Sequence, residues 1–256
     1  MTLFDGLILG IVEGITEFLP ISSTGHLILS SKLLDLSQSN FLKSFEIIIQ
    51  LGAIASVIIL YSKSFLNVEI LKKLAVSFIP TGIAGLAFYK VIKTYFIGNE
   101  SVVVWSLFLG GIFLIIFEFL YKEPQNISDG IETISYKNSF IIGLFQSIAI
   151  IPGISRSGAT IIGGLLLGLK RKTIVEFSFL LAVPTMLAAS GLDIVKNSTS
   201  FSVDQIGLLL VGFFSAFLVA IVSIKFLLGF IQKSNFIPFG IYRIVLALIF
   251  WFTILS

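Results

Sequence analysis

The stretch IGLLLVGFFSAFLVAIVSIKFLL, residues 206–228, carries one charged side chain, Lys225, in a run of Ile, Leu, Phe, Val and small residues. A helix needs about 20 such residues to cross the hydrocarbon core of a bilayer. Five other stretches have the same character: Phe45–Tyr61, Leu74–Val91, Val102–Tyr121, Phe177–Ile194 and Phe236–Leu255. None alternates apolar and polar residues as a barrel strand does. The 256 residues are 56% hydrophobic and 12% charged, with a mean hydropathy of +1.06. Soluble domains are about a quarter charged. The expectation is an all-α integral membrane protein, one membrane domain over residues 1–256, with about six transmembrane helices.

Other global features exclude more than they assign. With no cysteine there is no disulfide framework, thiolate metal site or thiol nucleophile. A net charge of +3 fits basic loops and gives no reason to invoke nucleic acid. No basic region precedes the first apolar run, so no cleavable signal peptide is expected.

Two apolar stretches are interrupted. Leu3–Leu34 is broken by Glu13, Glu17, Pro20, Ser22, Ser23, Thr24 and His26; Ser139–Leu169 by Gln146, Pro152, Gly153, Ser155, Arg156 and Ser157. Each is too short for two crossings and too polar for one. Each suits a re-entrant helix pair, which is tolerated only where it is buried in protein or lines a wet cavity. The two also resemble each other. Gly10-Ile11-Val12-Glu13 sets against Gly143-Leu144-Phe145-Gln146, and Ile21-Ser22-Ser23-Thr24-Gly25-His26 against Ile154-Ser155-Arg156-Ser157-Gly158-Ala159, in one ungapped frame. The prolines fall one place out of register, Pro20 standing opposite Gly153. This reads as an internal repeat: residues 1–121, a linker at 122–138 containing Pro124, Asn126, Asp129 and Gly130, and residues 139–256.

Three crossings per half invert the second half relative to the first. Ten cations (Lys63, Lys72, Lys73, Lys122, Lys137, Lys170, Arg171, Lys172, Lys225, Lys233) then share one side, and five (Lys32, Lys43, Lys90, Lys93, Lys196) the other. The positive-inside rule makes the first side cytoplasmic, with both termini outside. The two re-entrant tips enter from opposite sides and can meet within the bilayer, a common plan for a polar site.

The chemistry concentrates at those tips. Glu13 and Glu17, four residues apart, share a helix face; such a pair shares a proton or holds a cation, unless both simply reach water. Ser22, Ser23, Thr24 and Gly25 follow Pro20, where a helix start exposes N–H groups to an anion. A hydroxyl there could be an activated nucleophile, and His26, the sole histidine, its base or merely a packing residue. Gly153, Ser155, Ser157 and Thr160 surround Arg156, whose planar fork suits phosphate oxygens. A structural ion pair of Arg156 with Glu13 or Glu17 is the alternative. Arg243 snorkels, pairs with an acid or is itself a site residue. Lys170-Arg171-Lys172 reads as a cytoplasmic basic cluster. Together these parts suit phosphoryl transfer or hydrolysis.

Glu13-Gly14-Ile15-Thr16-Glu17-Phe18-Leu19-Pro20-Ile21-Ser22-Ser23-Thr24-Gly25-His26 resembles the first signature of the bacterial undecaprenyl-diphosphatase family of the bacitracin-resistance type. Pro152-Gly153-Ile154-Ser155-Arg156-Ser157-Gly158-Ala159-Thr160 resembles its second. Phe45-Glu46 through Gln50-Leu51-Gly52, Glu176 through Pro184, and Phe236 through Arg243 are also similar to the family, so the likeness runs the length of the chain.

The resemblance implies hydrolysis of undecaprenyl diphosphate to undecaprenyl phosphate and inorganic phosphate, recycling the carrier for cell-wall synthesis. It implies a divalent cation (Mg2+ or Ca2+), carried by Glu13 and Glu17, and a site facing outside the bacterial cytoplasmic membrane. It carries function onto Glu13, Glu17, Ser23, His26 and Arg156. Ser23, His26 and water all stand as candidate nucleophiles. The expected partners are a polyprenyl diphosphate and membrane lipids, with a homodimer also compatible. A transporter or flippase for an anionic lipid is the rival, since inverted repeats with broken helices are common there.

Overall fold

The computed structural model describes residues 1–37, 39–96, 99–123, 129–197 and 205–255. Pro124 and Asn126 of the expected linker and the C-terminal Ser256 lie outside the described residues, as do the side chains of Lys93 and Lys196.

The described residues form helices and no strand. The helices are α1 (Leu3–Thr16), α2 (Ser23–Leu33), α3 (Asn40–Leu60), the short α4 (Ser62–Phe65), α5 (Val68–Ala87), the short α6 (Tyr89–Val91), α7 (Glu100–Leu120), α8 (Tyr136–Ile148), α9 (Arg156–Leu166), α10 (Arg171–Asn197), α11 (Ile206–Ile231) and α12 (Ile237–Phe250). Five are long and apolar enough to cross a membrane, within α3, α5, α7, α10 and α11. The sixth expected crossing, α12, is shorter and continues as a π-helical turn over Trp251–Leu255. Leu86, Phe119, Leu120, Val222 and Phe252 point outward and exposed, the inverse of a water-soluble surface. The chain is an all-α, multi-pass membrane protein.

The interrupted stretches form helix–turn–helix pairs. At about 1.5 Å per residue, α1 and α2 are roughly 21 and 16 Å long, well short of the ~30 Å core. Ser22 and Ser155 cap the second helix of each pair, with side chains that accept from Gly25 N and Gly158 N. Both serines hold a positive φ, 70° and 79°. A non-glycine residue persists there only when its surroundings enforce it.

Each first arm packs on a helix from the other half of the chain. α1 lies on α11, with Gly6, Gly10 and Gly14 along one face; a Cβ on Gly10 would fall 2.5 Å from Gly212 O. α8 lies on α5, where a Cβ on Gly143 would fall 2.0 Å from Ser77 O, and Ser77 Oγ donates to Ser139 O at 2.6 Å. Small residues four apart let helix backbones approach without a hydrophobic driving force between them. α3 packs on α10, and α7 on α12. Phe18, Phe177, Phe179, Leu180 and Ala182 belong to the main core cluster.

The two ends of the bundle differ. At one end Arg171 is buried, donating both terminal nitrogens to Glu118, with its backbone N–H on Glu123 Oε1 at 2.8 Å. Phe236 N donates to Glu118 Oε1 at 3.0 Å. Lys73 Nζ reaches Glu132 O at 2.7 Å, and Lys170 pairs with Asp129 at 3.4 Å. Within the basic cluster at residues 170–172, Arg171 thus fastens α10 to the end of α7. At the other end Lys32 pairs with Glu100 at 2.8 Å.

Candidate active site between the two turns

Glu17 caps the C-terminal end of α1 and is almost fully buried. Its Oε2 accepts from Ser23 Oγ at 2.6 Å, and its Oε1 from Arg156 Nη2 at 3.0 Å. One carboxylate thus ties the start of α2 to the start of α9, joining residues far apart in the chain. Arg156 Nη1 donates to Ser178 O at 2.8 Å. Behind it, Thr160 Oγ1 lies 2.6 Å from Ser178 Oγ and donates to Arg156 O at 3.0 Å. Arg156 Nε is buried with no partner among the described residues, so one N–H of the guanidinium is unspent.

Other bonds clamp the turns together. Ser157 Oγ donates to Leu19 O at 2.8 Å. Arg243 of α12 is 1% exposed and donates to five carbonyls: Leu107 at 3.4 Å from Nε, Pro20 and Ile154 at 3.4 and 2.9 Å from Nη1, Ser106 and Gly153 at 2.9 and 2.8 Å from Nη2. A guanidinium has five N–H donors, so this one is saturated. Arg243 therefore neither snorkels nor pairs with an acid. It fastens both turns to α7, which explains how two positive-φ serines are held.

A cavity of about 540 Å3 opens beside this knot. Its polar end is lined by Glu17, Ser22, Ser23, Thr24, Ser155 and Arg156, together with Gly153. Gln50, Thr81, Gln146 and Thr185 form a middle band, in which Gln146 Nε2 donates to Thr81 Oγ1 at 2.8 Å. Phe78, Gly82, Gly85, Leu86, Met186 and Ala189 make the rest apolar. The remaining expected site residues lie off this wall. Gly25 packs on Leu107, and Ser157 and Thr160 turn into the protein. Glu13 is fully buried beside Glu17, close enough for the two carboxyl groups to share a hydrogen bond. His26 bonds Ser22 O and Tyr242 Oη, each at 2.8 Å.

The sequence reading missed Ser178, Tyr242 and most of the polar band. Gln146 alone had a usable signal, since it stands opposite Glu13 in the repeat frame.

The family model described as Bacitracin resistance protein BacA matches residues 6–249. The chain belongs to the BacA family. The matched region contains both turns and Arg243, and so every residue of the site. Among BacA relatives, the protein of Persephonella marina named undecaprenyl-diphosphatase is 54% identical over 251 residues, covering 98% of each chain. That of Sulfurihydrogenibium sp., with the same name, is 52% identical over 98% of this chain and 99% of its own. The Aquifex aeolicus undecaprenyl-diphosphatase is 49% identical over 98% of both.

Proposed function

We propose that this protein hydrolyses undecaprenyl diphosphate to undecaprenyl phosphate and inorganic phosphate. The observation that carries the reading is the convergence of Ser23 and Arg156 on Glu17 across two separate turns, on the wall of a cavity that also has a large apolar part. A lipid diphosphate has the same two-part character. The names of the relatives at about half identity over the full chain point the same way.

In this mechanism the terminal phosphate enters beside Arg156, and the free Nε–H and the Nη donors bind its oxygens in a fork. Donors aimed where charge builds stabilise the transition state. Ser23 Oγ attacks the terminal phosphorus and gives its proton to Glu17 Oε2, already in hydrogen-bond contact. The bond from that phosphorus to the bridging oxygen breaks, and undecaprenyl phosphate leaves. Glu17 passes that proton to the departing lipid phosphate; it then takes a proton from the water that attacks the phosphoserine and returns it to Ser23 Oγ as the serine–phosphorus bond breaks and inorganic phosphate leaves.

A divalent cation fits the donor set. Glu13 and Glu17 set two buried carboxyl groups side by side on one face of α1, where a shared cation would take the place of the hydrogen bond between them. No group of three or more His, Cys, Asp or Glu that could hold a metal exists among the described residues. Mg2+ is commonly held by one or two carboxylates plus substrate phosphates. Glu13, helped by Glu17, would hold the ion, which when bound neutralises charge on the diphosphate.

The membrane arrangement belongs to the same proposal: an inverted repeat of residues 1–121 and 139–256, a cytoplasmic linker at 122–138, both termini outside, and a cavity open outside the cytoplasmic membrane. The ten-to-five cation split supports it, as does the reciprocal packing of α1 on α11 and α8 on α5.

The test is phosphate release from undecaprenyl diphosphate by purified protein. Wild type should release it, and Ser23→Ala should not. A wild type that moves anionic lipid across vesicles yet releases no phosphate would overturn the reading in favour of a flippase.

A further inference from the structure

We propose that His26 is a positioning residue and not the proton-transfer group, and that Tyr242 is what fixes it in that role. The inference rests on the phosphatase reading above. His26 Nδ1 lies 2.8 Å from Ser22 O, and Nε2 lies 2.8 Å from Tyr242 Oη. A carbonyl only accepts, so Nδ1 carries the hydrogen. In the neutral ring Nε2 then accepts from the tyrosine hydroxyl. The two rings lie parallel within 4°, centroids 5.5 Å apart.

Both nitrogens are therefore engaged away from the reaction. A general base must come within hydrogen-bond reach of the proton it removes. Ser23 Oγ–H already donates to Glu17 Oε2, and the imidazole is not on the cavity wall. What the ring holds is the carbonyl of Ser22, the residue at φ 70° that immediately precedes Ser23. Strained backbone of this kind keeps its shape only when its neighbours over-determine it. Ser22 O is one such point of control.

Helix α12 thus grips the first turn twice. Arg243 reaches Pro20 O, and the adjacent Tyr242 reaches Ser22 O through His26. The second turn shows the contrast. It has the equivalent strained serine, Ser155, and Arg243 holds Gly153 O and Ile154 O there. In the repeat frame, however, Ala159 stands where His26 does. The imidazole brace accompanies the turn that presents Ser23 and is missing from the turn that presents Arg156.

The chain has one histidine, so 15N-labelled histidine in the purified full-length protein reports one imidazole. The Nδ1–H tautomer is expected, unchanged on adding a non-hydrolysable diphosphate analogue; the Nε2–H tautomer would overturn the proposal. In phosphate-release assays, His26→Asn restores an N–H near the Nδ1 position. It should stay within about tenfold of wild type with the same pH profile, because a donor and not a base is what is needed. His26→Ala should lose on the order of a hundredfold, the scale of a misplaced reacting group. If His26→Asn is as inactive as His26→Ala and loses one limb of the pH profile, the ring is the base and the proposal fails.

Tyr242→Phe should lower kcat about three- to tenfold at unchanged KM; wild-type kcat would remove Tyr242 from the account. The tautomer measurement uses the unaltered protein, so a variant that does not fold leaves the proposal testable. A wild type that releases no phosphate from any polyprenyl diphosphate would sink the functional reading instead, while the tautomer would still be read.

Discussion

Replacing Arg156 separates recognition of phosphate from mere charge. Its guanidinium spans Glu17 Oε1 at 3.0 Å and Ser178 O at 2.8 Å and keeps Nε–H free. Lysine preserves the charge but presents three donors from a single nitrogen, which cannot hold Glu17 and Ser178 and also fork onto a phosphate. Loss of one preorganised donor to a developing charge typically costs about a hundred- to a thousandfold in kcat. Arg156→Lys should therefore fold and lose about that much. Arg156→Ala goes further, because Glu17 is only 5% exposed and is left with Ser23 alone. Removing one partner of a buried pair destabilises by about 3–5 kcal/mol. The double variant Glu17→Gln with Arg156→Ala should recover much of that stability and none of the activity. The assays are phosphate release from a polyprenyl diphosphate and thermal unfolding in detergent. Near-normal turnover by Arg156→Lys would refute forked recognition. A double variant no more stable than Arg156→Ala would refute the buried-charge reasoning.

Three further outcomes follow from the geometry. Glu13→Gln should raise the divalent-cation concentration needed for half-maximal activity by at least about tenfold, the low end of what losing one supporting metal contact costs; an unchanged requirement would remove Glu13 from the cation site. A Cβ on Gly85 would meet nothing within 4 Å, and Gly85 lines the apolar part of the cavity. Gly85→Leu should then leave Tm unchanged or higher, since helix interiors favour Leu over Gly by under about 1 kcal/mol, while kcat/KM for undecaprenyl diphosphate falls about tenfold or more, a size typical of misplaced substrate; unaltered kcat/KM would mean that the lipid tail does not lie there. Arg243→Lys leaves at least two of five carbonyls without a donor, at about 1–3 kcal/mol each, so Tm and activity should fall together. A fall in activity alone would make Arg243 a substrate contact.

Much of this fold was legible because membrane spans are written in composition. The run at 206–228 became α11, Ile206–Ile231, and the polar residues that interrupt residues 3–34 and 139–169 marked both turns. Boundaries were less legible where polar residues continue a helix: α10 starts at Arg171, six residues ahead of the apolar run at Phe177. Contacts between distant residues were not legible at all. His26 invited a catalytic role because Ser and Glu stand near it in sequence, but its partner Tyr242 is 216 positions away. Ser178 is one serine in an apolar span, and nothing in the sequence distinguishes it from Ser190 or Ser215. Only packing α10 beside α9 puts its carbonyl on Arg156.

The three arginines show what the sequence could not decide. Arg156, Arg171 and Arg243 are all largely buried, and each looked like a different thing: anion binder, loop charge and undecided cation. Their environments sort them by the donors they have left. Arg243 spends five N–H groups on five carbonyls, so an incoming phosphate finds no free donor there. Arg171 is matched by Glu118 and Glu123 and stacks 4.8 Å above Phe236, at the end of the bundle away from Lys32 and Glu100. Arg156 alone of the three combines a free buried N–H, a place on the cavity wall and a carboxylate partner that also holds Ser23. A phosphate that takes the free N–H leaves this ion pair intact, so Glu17 is not stranded as an unpaired charge in a low-dielectric site. In the proposed reaction Glu17 therefore stays in hydrogen-bond contact with Ser23 while the same guanidinium serves both the carboxylate and the phosphate.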